Sequence, residues 1–180
     1  MKKIILCLGI FLFVLTGCTD MTNTPSKKVE EFLGKYQSMD KDVLNQLDKI
    51  VKEDETMTDD EKTDYKSLME KQYQNLSYKI KSEKIKGNSA TVDVEIEVFD
   101  YVNSINKTKE YYAKNKSEFV DENNNLDNKK FIDYKIKELK KVTDKIKYQM
   151  TFNLTKSSGK WTIDDISDSD LEKIHGLYVE

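Results

Sequence analysis

The 180-residue sequence contains no arginine, so all 30 of its basic residues are lysine. A planar guanidinium fork for bidentate capture of phosphate or carboxylate is therefore excluded, and any anion must be met by ammonium point charges. With one histidine, His175, no His-based catalytic dyad and no multi-histidine metal site can be built; its place beside Gly176 predicts a surface side chain. Only two cysteines are present. Cys7 lies in the apolar N-terminal run and Cys18 stands alone in the rest, so no internal disulfide can brace the fold, and packing alone must hold it. Apolar runs are short as well: Ile4 to Leu15 spans 12 residues, against the roughly 20 that a membrane-crossing helix needs. Acidic residues outnumber basic ones, 33 to 30, which disfavours a general nucleic-acid binder.

What is present begins at the N-terminus. Met1-Lys2-Lys3, the apolar stretch after it and Leu15-Thr16-Gly17-Cys18 form a charged region, a hydrophobic region and a small-residue cleavage site. The Leu-Thr-Gly-Cys stretch resembles the lipobox of bacterial lipoproteins, which implies a diacylglyceryl thioether on Cys18 and cleavage just before it. Two acyl chains hold firmly, since each buried methylene contributes about 0.8 kcal/mol. Residues 1–17 are thus expected to direct export, residues 18–24 to form a lipidated tether, and residues 25–180 to fold as one domain. Without Lys2 and Lys3 the exported chain has 28 basic and 33 acidic residues, a net charge of −5. Richness in lysine, asparagine and isoleucine without arginine suits an AT-rich genome, and a Gram-positive host is expected.

Thr24-Pro25 is an N-cap followed by a first-turn proline. Val29, Phe32, Leu33, Tyr36 and Met39 then recur at helical spacing. After a break at 38–40, Val43, Leu44, Leu47 and Ile50 continue it, giving two helices or one bent one. Thr58 and Glu61 have the spacing of a capping box, opening a helix with Tyr65, Leu68, Met69, Tyr73 and Leu76 inward. From Tyr78 the period becomes two. Tyr78 and Ile80, then Val92, Val94, Ile96 and Val98, read as strands joined at Gly87-Asn88. Tyr148, Met150, Phe152 and Leu154 form another strand, with a turn at Ser157-Ser158-Gly159 and a return through Trp161 and Ile163. Between the hairpins, Leu126 to Ile146 predicts an amphipathic helix, residues 104–122 a weaker one, and 121–125 a loop. Ser169 to Ile174 predicts a short helical turn ending at Gly176. Helices followed by an antiparallel sheet interrupted by helix give an α+β domain.

This order resembles the NTF2-like, cystatin-like cone fold of small Gram-positive lipoproteins of the uncharacterised DUF4878 or DUF5105 type. The resemblance rests on Thr24-Pro-Ser-Lys-Lys-Val-Glu-Glu-Phe-Leu, on the break between Lys35 and Leu44, and on Gly159-Lys-Trp-Thr-Ile-Asp, and it covers most of residues 24–167. It implies N-terminal helices packed on a curved antiparallel sheet with a concave face. The helical segment 104–145 departs from the minimal cone. No activity follows from the fold, because NTF2-like domains serve as enzymes, ligand pockets and partner-binding modules.

Candidate chemistry is sparse. Asp121, Asn123, Asn125 and Asp127 have the opening spacing of a calcium loop, but Leu126 stands where glycine is required and Ile132 where the bidentate glutamate belongs, so a polar loop is expected. Asp164, Asp165, Asp168 and Asp170 read as carboxylates solvating a strand end. Eight lysines between Lys129 and Lys147 could lean on anionic lipid or wall polymer, although interleaved Asp133, Glu138 and Asp144 suit a solvated face. Ten tyrosines and Trp161 are assigned to the core, with an aromatic-walled ligand pocket as the alternative. Asp93, Glu95 and Glu97 fall opposite Val92 and Val94 and are expected to meet water rather than a cavity. The sequence therefore points to a non-enzymatic extracytoplasmic module anchored to the membrane through Cys18. It would bind an envelope protein or, alternatively, carry a small ligand on the concave face; a hydrolase or isomerase is the remaining possibility, and no cofactor or metal is expected.

Overall fold

The computed structural model describes residues 23–179. Residues 1–17, expected to direct export, and the expected lipidation site Cys18 lie outside the described residues. Helix α1 (Pro25–Gln37) starts as the sequence predicts, with the Thr24 hydroxyl accepting from Lys27 N at 3.1 Å. It ends at Met39, whose φ of 58° turns the chain, and α2 (Lys41–Glu53) begins on an Asp40 cap. Two separate helices are therefore present. In α2 the buried stripe is Val43, Leu47 and Val51, while Ile50 is exposed; spacing by four keeps the stripe on one side, and Ile50 falls off it. The capping box of Thr58 and Glu61 opens α3 (Asp59–Gln74).

Strands β1 (Ser77–Lys86), β2 (Ser89–Phe99), β3 (Lys145–Ser157) and β4 (Lys160–Ile163) form one antiparallel sheet in the order β1-β2-β3-β4. The β1–β2 register shifts between Ile80 and Ser82. Such a bulge transfers the following residues to the opposite face: Tyr78 and Ile80 point inward before it, whereas Glu83 and Ile85 lie opposite Val92 and Ala90 after it. The turn between β3 and β4 uses positive φ at Ser158 and Gly159, which matches the right-handed strand twist.

Helix α1 crosses the inner face of this sheet and α3 packs behind α1. Val29 and Leu33 from α1 are fully buried with Val92, Val94, Ile96 and Val98 from β2. Phe32 meets Phe152 at 5.7 Å, and Tyr36 meets Tyr73 at 5.1 Å, both edge to face. The outer face of the sheet is polar.

The segment between β2 and β3 holds two helices, α4 (Tyr101–Lys114) and α5 (Asn128–Lys140), with a single 3-10 turn at Lys116–Phe119. Both differ from the sequence reading. Helix α4 begins at once after β2 because Asp100 caps it, accepting from Asn103 N. The helix predicted through Ile146 stops at Lys140, since Ile146 enters β3 opposite Val98; an apolar residue at a helix-compatible spacing was claimed by the strand. Tyr111, Tyr112, Phe119, Phe131 and Tyr134 give this insertion its own small aromatic core, with neighbouring rings 5.0–6.2 Å apart. Helix α6 (Asp168–His175) closes the chain against α3 and β2. The architecture is α+β, helices on a curved four-stranded antiparallel sheet.

Candidate functional site

A groove of about 570 Å³ opens between α1 and β4, within the range of small-ligand sites. Its floor is apolar: Phe32 from α1, with Trp161 and Ile163 from β4. Its rim carries three cations to one anion, with Lys28, Glu31 and Lys35 on α1 and Lys160 at the start of β4. The local sequence explains the helix side. Lys28 and Lys35 stand four residues before and three after Phe32, so all three share one face of α1. Across the groove, Trp161 is inward-facing and 5 % exposed, and the Lys156 ammonium lies 5.5 Å from its ring centroid.

The rim charges are differently engaged. Lys28 pairs with Glu31 at 2.7 Å and Lys35 with Asp42 at 3.5 Å, both at the surface, where such pairs contribute little. Lys160 has no ion pair among the described residues. Asn23 closes one end: its amide donates to Gly159 O at 2.7 Å and its carbonyl accepts from Trp161 N at 3.3 Å. The start of the domain is thereby tied to the β3–β4 turn.

Of the residues singled out from sequence, Trp161 lies at this groove, whereas Tyr36, Tyr73 and Tyr148 are core residues. Phe32 was assigned only to the apolar face of α1, and the lysine rim was not anticipated; the flanking of Phe32 by Lys28 and Lys35 is the signal that could have found it.

The remaining candidates disperse. The Asp121 carboxylate accepts from Asn123 N and Asn125 N at 2.8 and 2.9 Å, turning the loop on itself, and the Asn125 hydrogen bond is foremost in holding its pKa down. Among the described residues no group of three or more His, Cys, Asp and Glu side chains is placed to hold a metal ion. Asp170 pairs with Lys173 and accepts from Ser167, the cap of α6. Lys129, Lys130 and Lys140 on α5 and Lys141 at its C-cap each pair with a carboxylate, while Lys135 is partly buried and burial lowers its pKa.

Asp93 and Glu95 lie on the polar face of the sheet. Hydrogen bonds from Ser82 and then Thr151 hold Asp93 below the usual carboxylate range, and Lys81 and then Gln149 do the same for Glu95. Both groups are stabilised in the charged form, whereas a buried general acid would be shifted upward.

His175 departs from expectation: its ring packs 5.7 Å from Tyr73 and is half-buried, and burial pushes its pKa down. The helical turn of α6 places it toward Tyr73 of α3 rather than toward water. With a depressed folded-state pKa, the unfolded chain binds the proton more tightly. Stability from this group is therefore complete above about pH 6.5 and declines as pH falls through that value. Replacing His175 by Gln is expected to flatten that acid-side decline, measured as the difference in urea midpoints between the two proteins; parallel curves would refute the assignment.

No helix among the described residues is long and apolar enough to cross a membrane. No protein-family model matches the chain, and no curated protein matches it. Among solved structures it is similar to ycdA, a candidate lipoprotein of Bacillus subtilis, at 18% identity and a TM-score of 0.41, over 91% of this chain and 51% of that one. The chain thus spans about half the length of that protein.

Proposed function

We propose that this protein is a lipid-anchored, extracytoplasmic binding module of the bacterial envelope whose site is the α1–β4 groove, taking a small amphiphile with an anionic group. The observation that carries the binding assignment is the pairing of an aromatic floor, Phe32 and Trp161, with a lysine rim in a cavity of about 570 Å³. An apolar portion of the ligand would cover the rings, and its charge would meet ammonium groups. The anchoring part rests on Leu15-Thr16-Gly17-Cys18, which supports lipidation at Cys18. The NTF2-like, DUF4878-type reading is supported by α1 lying across the inner face of an all-antiparallel sheet. Binding is favoured over catalysis because Asp93 and Glu95 are held as stable anions on an open face.

Trp161 is the sole tryptophan, so the site carries its own reporter. Titrating the purified protein with dodecyl phosphate, below its micellar range, is expected to shift Trp161 emission saturably, whereas dodecyltrimethylammonium leaves it unchanged. Lys35→Gln is expected to weaken the phosphate response about fivefold and Phe32→Ala about tenfold or more, in line with one lost charge contact and one lost aromatic surface. Equal responses to the two detergents, or none to either, would remove the groove as the site.

A further inference from the structure

The two hairpin turns lie side by side at one end of the sheet, joined where Lys156 N donates to Asn88 O at 2.7 Å. This end is basic. Residues 84–92 and 153–163 contain four lysines, Lys84, Lys86, Lys156 and Lys160, and not one acidic residue. None of the four is ion-paired among the described residues. The adjacent carboxylate Glu83 is engaged by α1, accepting from Ser26 N at 2.8 Å, and Asp93, whose charge reaches Lys84, accepts from Ser82 and Thr151. Between Lys84 and Lys86 stands Ile85, which the bulge turns toward the inner face but which lies beyond the cover of α1 and is 55 % exposed.

The same end is where the N-terminal segment joins the domain. Asn23 is bonded to Gly159 and Trp161 in the β3–β4 turn. Four residues lie between it and Cys18, five chain steps with a reach of at most about 17 Å when fully extended.

We infer that this hairpin end is a membrane-apposed face, with the four lysines against the phosphates of anionic phospholipid and Ile85 seated among the headgroups. The inference rests on lipidation at Cys18, which would hold this end and no other within a tether's length of the bilayer. Charge complementarity names the partner: surface phosphates attract lysines within a Debye length, and a lone aliphatic side chain flanked by lysines suits the headgroup boundary. The lysine-rich helix α5 is a poorer candidate, since Lys129, Lys130 and Lys140 are already paired with carboxylates and, among the described residues, Lys137 alone on that helix is exposed without one. An apposed hairpin end also opens the α1–β4 groove beside the lipid surface, where an amphiphile is met.

The test uses the full chain purified from its host membrane and reconstituted into vesicles of phosphatidylcholine, with or without one quarter phosphatidylglycerol. A nitroxide is attached to Ser89→Cys in the β1–β2 hairpin, or to Glu122→Cys in the insertion loop as a remote control. One label per chain reports that Cys18 is blocked by lipid; a further label reports a free Cys18 thiol and the failure of the anchoring reading alone. With one label bound, the probe at 89 is expected to be shielded from an aqueous nickel complex and accessible to oxygen in the anionic vesicles, the probe at 122 the reverse. Each of K84Q, K86Q, K156Q and K160Q is expected to reduce the apposed population about fivefold, as is high salt in the intact protein. Ile85→Ser keeps the lysines and is expected to lose only the oxygen contact. Equal accessibility at 89 and 122 in anionic vesicles, in a chain carrying one label, overturns the proposal.

Discussion

Gly176→Ala is expected to destabilise the protein by about 3–5 kcal/mol, lowering its melting temperature by roughly 10 °C. Two effects combine. Gly176 adopts φ of 70° as it ends α6, with its N–H bonded to Lys173 O and that of Leu177 to Glu172 O, the paired pattern of a helix closed by a left-handed residue. A side chain in that conformation costs about 1–2 kcal/mol. An added Cβ would also fall on the side-chain amide of Gln72 and the backbone carbonyl of Phe99. The carbonyl belongs to β2 and has little freedom to retreat. Gln72 is fully buried and accepts from Phe99 N at 2.9 Å, so displacing it leaves a buried donor unmet, at about 1–3 kcal/mol. Gly34 provides the contrast: it lies within α1 with no atom near its would-be Cβ, and Gly34→Ala is expected to stabilise by about 0.5–1 kcal/mol. Thermal melts of the two variants settle the matter. A Gly176 variant within about 1 kcal/mol of the parent would show that α6 does not lock the α3–β2 junction.

Leu33→Ala is expected to cost about 3–5 kcal/mol while leaving the groove chemistry in place. Leu33 is fully buried where α1 meets the sheet, and truncating such a side chain loses its transfer free energy and leaves a cavity. Phe32 and Lys35 on the adjoining face line the groove instead. One helix therefore separates two roles by the direction each residue points. Leu33→Ala should lower the urea midpoint and, among the molecules still folded, leave the dodecyl phosphate response of Trp161 unchanged. Lys35→Gln should do the reverse, since its surface pair with Asp42 contributes under about 1 kcal/mol. If both variants changed both measurements alike, the division of α1 into a structural and a binding face would fail.

Much of this architecture was legible along the chain because it depends on near neighbours. A capping hydroxyl and a glutamate three residues on must meet if a helix starts there, and Thr58 with Glu61 does so. Alternation from Val92 to Val98 permits only one buried face, and the same alternation puts Tyr148, Met150 and Phe152 of the neighbouring strand on it. Ile146 was misplaced for the opposite reason. Its spacing satisfies a helix as well as a strand, and only pairing with Val98 decides between them. His175 was placed at the surface because nothing local shows that Tyr73, about a hundred positions earlier, would lie beside it.

The candidate site divides in the same way. A lipobox cysteine is a linear signal read by export and lipidation chemistry on an extended chain, so the expectation of an anchor at Cys18 needs the sequence alone, as do the exclusions of arginine forks and of paired-histidine chemistry. The lysine rim around Phe32 and Trp161, and the four lysines gathered at the hairpin end, exist only after α1 crosses the sheet and the two hairpins align. Residues 28 and 160 share no local pattern. Their proximity comes from burying Val29 and Leu33 against β2, a gain spread over the whole core, and from the Asn23 bonds that fix the start of the domain to the β3–β4 turn. Side-chain identity was thus written in the chain, but where unpaired charge would accumulate was decided by the packing that brought distant segments together.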